Sequence, residues 1–146
     1  MSKEGSLILE IRKAESLHGH LGPFLVLGIK MANLARKILN IDRDKQRDMR
    51  VSVKLPLITP FSCILDGIQA STQCTIGNRK LKVRNSNGEI LASFKIEGQN
   101  KTLRVILKQR LTEVLLKRLS EGVSNGKLAL EVASAPEDQL FRVEEG

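Results

Sequence analysis

Apolar residues recur at helical spacing in residues 6–17. Leu7, Ile8, Ile11 and Ala14 fall on one face of the predicted helix, and Ser6 is placed to cap it. The run "HGHLG" (18–22) then breaks the chain. A second helix is predicted from Pro23, whose missing N–H costs nothing in a first turn, to about Leu39. Its opening "FLVLGI" is apolar all round and requires burial on every side. Gly28 weakens this helix, and close backbone packing is the reason its presence suggests. "DRDKQRD" (42–48) reads as a charged surface loop, and "RVSVKL" (50–55), with Val51, Val53 and Leu55 alternating inward, as a strand. Pro56 and Pro60 bracket a turn before a third helix, "CILDGIQASTQ", with Ser62 as its predicted cap.

Residues 80–84 and 89–97 read as two strands joined across "NSNG", a hairpin-turn signal. "EGQNK" supplies a second turn and "TLRVIL" a third strand of the same meander. Leu111, Val114, Leu115 and Leu119 predict a long helix over 109–121, stopped by Gly122. The tail offers a short strand at "KLALEVA" and a helical turn at "PEDQL". The order predicts an α+β fold, a largely antiparallel (mixed) sheet with helices packed on it, in a single domain over residues 1–146.

Composition narrows the chemistry. Apolar residues make up 41% of the chain but aromatics only 3%, with no Trp or Tyr, so the core must be aliphatic. The aromatic platform of a single-strand nucleic-acid binder is missing too. No run of 18 apolar residues occurs, and charges pepper the N-terminal stretch. That pattern reads as neither a membrane span nor a signal peptide and predicts a cytoplasmic protein. In a reducing compartment two cysteines point to metal or thiol chemistry rather than a disulfide. The net charge of +8 is carried wholly by residues 77–118, where 11 basic residues face 3 acidic, while the remainder balances at 13 against 13. Such asymmetry suits an anionic partner or small molecule; the plainer reading is a solvated face that keeps the protein soluble.

Both histidines of the chain, His18 and His20, sit in "HGHLGP". Gly19 gives the backbone freedom to twist at the corner, so that one imidazole projects into a cleft while the other serves as a second ligand or as a contact behind it, and the helix start that follows favours an anion nearby. Cys63 opens the third helix, where a lowered thiol pKa is expected, with Asp66 and Gln69 three and six residues on. Cys74, eleven residues beyond Cys63, would lie about 16 Å away on a continuous helix and reaches the same place only if the chain folds back. Two His and one Cys suit zinc or another late transition metal, with three protein ligands leaving an open position. The alternatives are histidines that cap a helix or bond a backbone carbonyl, and cysteines that serve as small buried apolar residues.

Together, "HGHLGPFLVLGIKMA" and "CILDGIQASTQCTIGNRKL" resemble the FmdE-like family, named for a subunit of formylmethanofuran dehydrogenase. Its members carry a His-Gly-His-x-Cys-Pro corner, then a Cys-x-x-Asp-(Ala or Gly)-Ile-Gln helix ending in Thr-Gly-Cys-Thr-x-Gly-Lys. The resemblance continues into "ILASFKIEGQNKTLRVIL" and "PEDQLFRV". It implies a small α+β domain, paired as a homodimer, with a metal, typically zinc, held by His18, His20 and Cys63. Asp66, Gln69, Thr72 and Cys74 would line the same cleft. Gly22 stands where the family has its corner cysteine, Gln73 replaces a Gly and Asn78 a Lys, and the Cys-x-x-Cys pairs of a C-terminal zinc ribbon are absent.

The function this implies is a metal-binding domain accessory to, or derived from, a molybdenum or tungsten oxidoreductase system, with the other chains of that system as partners. Were it catalytic, Asp66 is the nearest carboxylate for proton transfer. The competing readings are a basic nucleic-acid or nucleotide-binding module built on residues 77–118, and a family member that has lost its metal.

Overall fold

Strand β1 (Met49–Leu55) is the axis of the structure, a computed structural model that describes residues 3–146. Its inward residues Met49, Val51, Val53 and Leu55 are all buried, as a central strand requires. The remaining strands are β2 (Leu81–Asn85), β3 (Leu91–Ile96), β4 (Thr102–Leu107) and β5 (Phe141–Glu145), arranged β2-β1-β3-β4-β5. β1 and β2 run parallel, with Val51 opposite Leu81; every other pair is antiparallel, with Val53 opposite Ala92 and Val105 opposite Val143. The α+β class and the mixed, largely antiparallel sheet are as the sequence predicts.

Two elements differ from expectation. "NSNG" does not close a hairpin, because β1 lies between β2 and β3. The Ser86 N–H instead donates to the Leu55 carbonyl as the chain crosses the end of β1. β2, with Lys82 and Arg84 exposed, suits a sheet edge; β1 does not. "KLALEVA" is helical, not a strand: it lies in α6 (Asn125–Ser134), where Leu128, Ala129 and Val132 form a buried stripe at helical spacing and the Ser124 hydroxyl caps the Lys127 N–H. The tail strand is β5.

The other helices are α1 (Lys3–His18), α2 (Pro23–Ile38), α3 (Arg43–Gln46), α4 (Cys63–Thr72), α5 (Gln109–Ser120) and α7 (Glu137–Leu140). Ser6 lies inside α1 rather than capping it, and the charged segment expected as a loop holds the short α3. Along α1 the inward positions are Leu7, Ile11 and Ala14, while Ile8 is half exposed. Continued by one turn, that stripe reaches His18.

Helix α2 is buried from Pro23 to Ala32, as an all-round apolar opening demands. It packs backbone to backbone against α4. A Cβ on Gly28 would stand 2.2 Å from the Ile64 carbonyl oxygen, and one on Gly67 would stand 2.1 Å from that of Leu25. The two glycines are the reciprocal halves of one crossing. α2, α4 and α6 start at the same end of the molecule. Phe24 meets Phe61 edge to face at 5.5 Å, and Gly22 lies against Asn125. At the far end, Arg36 donates to the Ser71 carbonyl and pairs with Glu10 of α1. There the buried Lys30 ammonium donates to the Val132, Ala133 and Ala135 carbonyls, satisfying the end of α6. α1 therefore runs against the other three and delivers its last residue, His18, to their starts.

Candidate metal centre

The site forms where those helix ends meet. Gly19 has φ +97, a conformation that favours glycine, and the turn sets the His18 and His20 rings 4.5 Å apart between centroids. Cys63 reaches the same point because β1, α4 and β2 form a βαβ unit, which places the start of α4 beyond the carboxyl end of β1. One ligand atom from each of His18, His20 and Cys63 lies within 4.8 Å of the others. Ligands on a tetrahedral zinc ion stand on the order of 3.5 Å apart, so a small side-chain movement closes the set. His20 is exposed, Cys63 buried and His18 between the two.

His18 is oriented from behind. Its Nδ1 lies 2.6 Å from Asp66 Oδ2, while the Gln69 amide donates to Asp66 Oδ1 at 3.1 Å and accepts the Ile76 N–H through Oε1. A donor at Nδ1 leaves the Nε2 lone pair available to a metal ion. His18 Nε2 is also the one buried side-chain nitrogen or oxygen without a hydrogen-bond partner among the described residues. Such a group costs about 1–3 kcal/mol if it stays unsatisfied. A metal-ligating imidazole that donates its other nitrogen to a carboxylate has this arrangement, so the residues present fit a metal ion.

The Cys63 thiol departs from expectation. Burial, reinforced by the Asp66 charge, pushes its pKa up rather than down. The helix start offers less to a thiolate than its position suggests, because the N–H groups of Cys63, Ile64 and Leu65 are taken by the carbonyls of Pro60, Phe61 and Ser62. The same winding makes a side-chain cap unnecessary. Ser62 is helical in conformation, and its hydroxyl makes no capping bond.

Of the residues expected in one cleft, Asp66 and Gln69 lie directly behind His18, but Thr72 and Cys74 do not join them. α4 runs on to Thr72 before Gln73 ends it in the left-handed region at φ 61. Thr72 is therefore about 13 Å along the helix from Cys63. The Thr72 hydroxyl donates to the Ile68 carbonyl and accepts the Cys74 N–H, and the Cys74 sulfur sits in the core 3.4 Å from the Met49 carbonyl oxygen. Burial raises the Cys74 thiol pKa as well. Both are structural groups at the opposite end of the helix.

Asn125 is the neighbour that sequence reasoning missed. Its Oδ1 would stand 3.2 Å from a Cβ on Gly22, and that Cβ would lie 3.7 Å from His20 Nε2. Nothing in "VSNGK" signals proximity to a corner a hundred residues earlier. Among the described residues, no helix is long and apolar enough to cross a membrane.

Comparison with known proteins bears on the family and the fold. Residues 17–143 match the model of the family described as FmdE, molybdenum formylmethanofuran dehydrogenase operon. The crystal structure of a tungsten formylmethanofuran dehydrogenase FmdE-like protein from Syntrophus aciditrophicus superposes with a TM-score of 0.63. The superposition covers 96% of this chain and 71% of that one at 17% identity, which shows a shared fold. Over 69 residues the chain is 33% identical to a probable S-adenosyl-L-methionine-binding protein of Archaeoglobus fulgidus. That match covers 47% of this chain but only 19% of the relative.

Proposed function

The chain belongs to the FmdE family, and we propose that it is a metal-binding member whose His18, His20 and Cys63 hold one zinc or similar transition-metal ion in the service of a formylmethanofuran dehydrogenase system. The orphaned, buried Nε2 of His18, on a ring whose Nδ1 is held by Asp66 and which lies beside His20 and Cys63, is the observation that supports this most. Two imidazoles and a thiolate match the ligand preferences of zinc and its neighbours, and three protein ligands leave one coordination position open. A divalent ion held there supplies Lewis acidity to whatever occupies that position.

The remaining residues position rather than react. Asp66 fixes the tautomer and ring orientation of His18, and with both carboxylate oxygens engaged it is a poor candidate to carry protons to a substrate. Gln69 holds Asp66 and ties it to the backbone at Ile76. Thr72 and Cys74 serve the helix end and the core. Cobalt(II) substitution tests the assignment. The wild-type protein should give a thiolate-to-cobalt charge-transfer band that Cys63→Ala abolishes and Cys74→Ala retains. A band that survives Cys63→Ala, or none in the wild type, refutes it.

A further inference from the structure

The face of the sheet opposite the core is rich in cations among the described residues. It carries Arg50 and Lys54 on β1, Lys82 and Arg84 on β2, Lys95 on β3 and Arg104 on β4, in the alternating positions whose neighbours point into the core. The register aligns them in rows. Lys82, Ser52, Ser93 and Arg104 stand side by side across four strands, as do Arg84 and Lys54 in the next row and Arg50 and Lys95 in the one before. The two serines at the centre, on neighbouring strands, leave the floor low between long side chains. The result is a depression of about 400 Å3 whose lining includes Lys54, Lys82, Arg84 and Arg104.

The charge is only partly cancelled locally. Glu97 pairs with Arg50, Glu89 lies 3.6 Å from Lys54, and Glu144 is shared by Arg104 and Arg142 of β5. Lys82, Arg84 and Lys95 have no carboxylate partner among the described residues. Seven cations against three carboxylates leave this face at a net charge of about +4. The sequence clustering of charge in residues 77–118 thus becomes partly spatial. Lys82, Arg84, Lys95 and Arg104 come from that segment, while Arg50, Lys54 and Arg142 join them from outside it.

We propose that this cationic sheet face docks the sugar–phosphate backbone of a double-stranded nucleic acid, without reading its sequence. A second copy of the chain is a poor occupant, since it would oppose +4 with +4. An acidic protein surface is favoured less, because protein interfaces centre on aromatic and apolar anchors and are poor in Lys. This face presents none: Phe94 and Phe141 are buried, and Leu91 and Ile106 are each less than a tenth exposed. A single strand would need stacking platforms that the face lacks. Closely spaced cations do suit a phosphate backbone. Lys82 and Arg84 are about 6.6 Å apart along their strand, and neighbouring strands are about 4.8 Å apart. Interfaces with DNA are more positively charged than those between proteins.

Anisotropy titrations of a labelled duplex of about 20 base pairs into the intact protein test this. With about four phosphates neutralised, log K should fall against log salt with a slope of about −3.6, so that affinity drops by about 150-fold between about 50 and about 200 mM salt. Lys82→Glu with Arg84→Glu should weaken binding at about 50 mM salt more than tenfold and flatten the slope, with the thermal midpoint unchanged. A charge-matched pair off the face, Lys13→Glu with Lys117→Glu, should bind nearly as wild type. Cys63→Ala should also bind as wild type, which separates this surface from the metal centre. The proposal is overturned by absence of duplex binding at low salt, by equal loss in both charge-reversed pairs, or by tighter binding of a single strand or of polyglutamate than of the duplex.

Discussion

Gly67→Ala adds one methyl group at the crossing of α2 and α4, and its cost can be worked from the contact. The new Cβ would stand 2.1 Å from the Leu25 carbonyl oxygen, 3.1 Å from the Ile29 nitrogen and 3.2 Å from the Gly28 Cα. All three are backbone atoms of a buried helix, so no side chain can turn aside. An ordinary carbon–oxygen contact lies near 3.3 Å, so the helices must part by about an ångström. A gap of that size forfeits about a quarter to a half of each contact's attraction across the interface that buries Leu25, Ile64 and Ile68. Overpacking costs about 1–3 kcal/mol, and rigid backbone on both sides argues for the upper end. Alanine recovers about 1 kcal/mol in helix propensity. The net loss is therefore about 2 kcal/mol, which for a chain of this size lowers the midpoint by about 4–8 °C. Gly28→Ala should cost a similar amount, and the double variant less than the sum, because both methyl groups wedge the same crossing. Gly126→Ala in α6, where an added Cβ meets nothing within 4 Å, is the control and should be neutral or mildly stabilising. Thermal and urea unfolding read these differences. An unchanged midpoint in Gly67→Ala, or an equal loss in Gly126→Ala, would refute the backbone-contact argument.

Other perturbations address the site and the helix ends. Asp66→Asn keeps the volume but weakens the orientation of His18, and should lower metal affinity by about 10- to 100-fold with the fold intact, as isothermal titration would show. Because burial and Asp66 raise the Cys63 thiol pKa, the metal-free protein holds that proton at neutral pH and must release it on binding. Affinity should therefore rise by about tenfold per pH unit until the thiol pKa is passed, and a flat profile between about pH 6 and 8 would contradict the thiolate's role. Lys30→Met strips the donor from the Val132, Ala133 and Ala135 carbonyls and should destabilise the fold by about 1–3 kcal/mol in urea unfolding, with metal stoichiometry unchanged.

Long apolar patterns made much of the fold legible. "FLVLGIKMA" demanded burial all round, and α2 is buried. Gly28 within it suggested close approach, and Gly67 supplies the facing half. The candidate site was legible in its residue types, since His18, His20 and Cys63 do lie together. Sheet order was not. "NSNG" has the residues of a tight turn, but which strand lies inside the sheet and which at its edge is a competition among distant segments, and β1 takes the place between β2 and β3. "KLALEVA" offered strand-like alternation and helix formers at once, and contact with α2 favoured the helix. The direction of the thiol shift was missed because it is set by how deeply the fold buries the sulfur and by the Asp66 charge beside it, neither of which helix position alone reveals.

Metal analysis of the purified protein bears most directly on the central claim. Wild type and Cys74→Ala should each carry about one equivalent of zinc or a related ion per chain, while His18→Ala and Cys63→Ala should each retain under about a tenth of that. Full occupancy in both of the latter variants, or a wild-type protein that takes up no metal when supplied with it, would contradict the account.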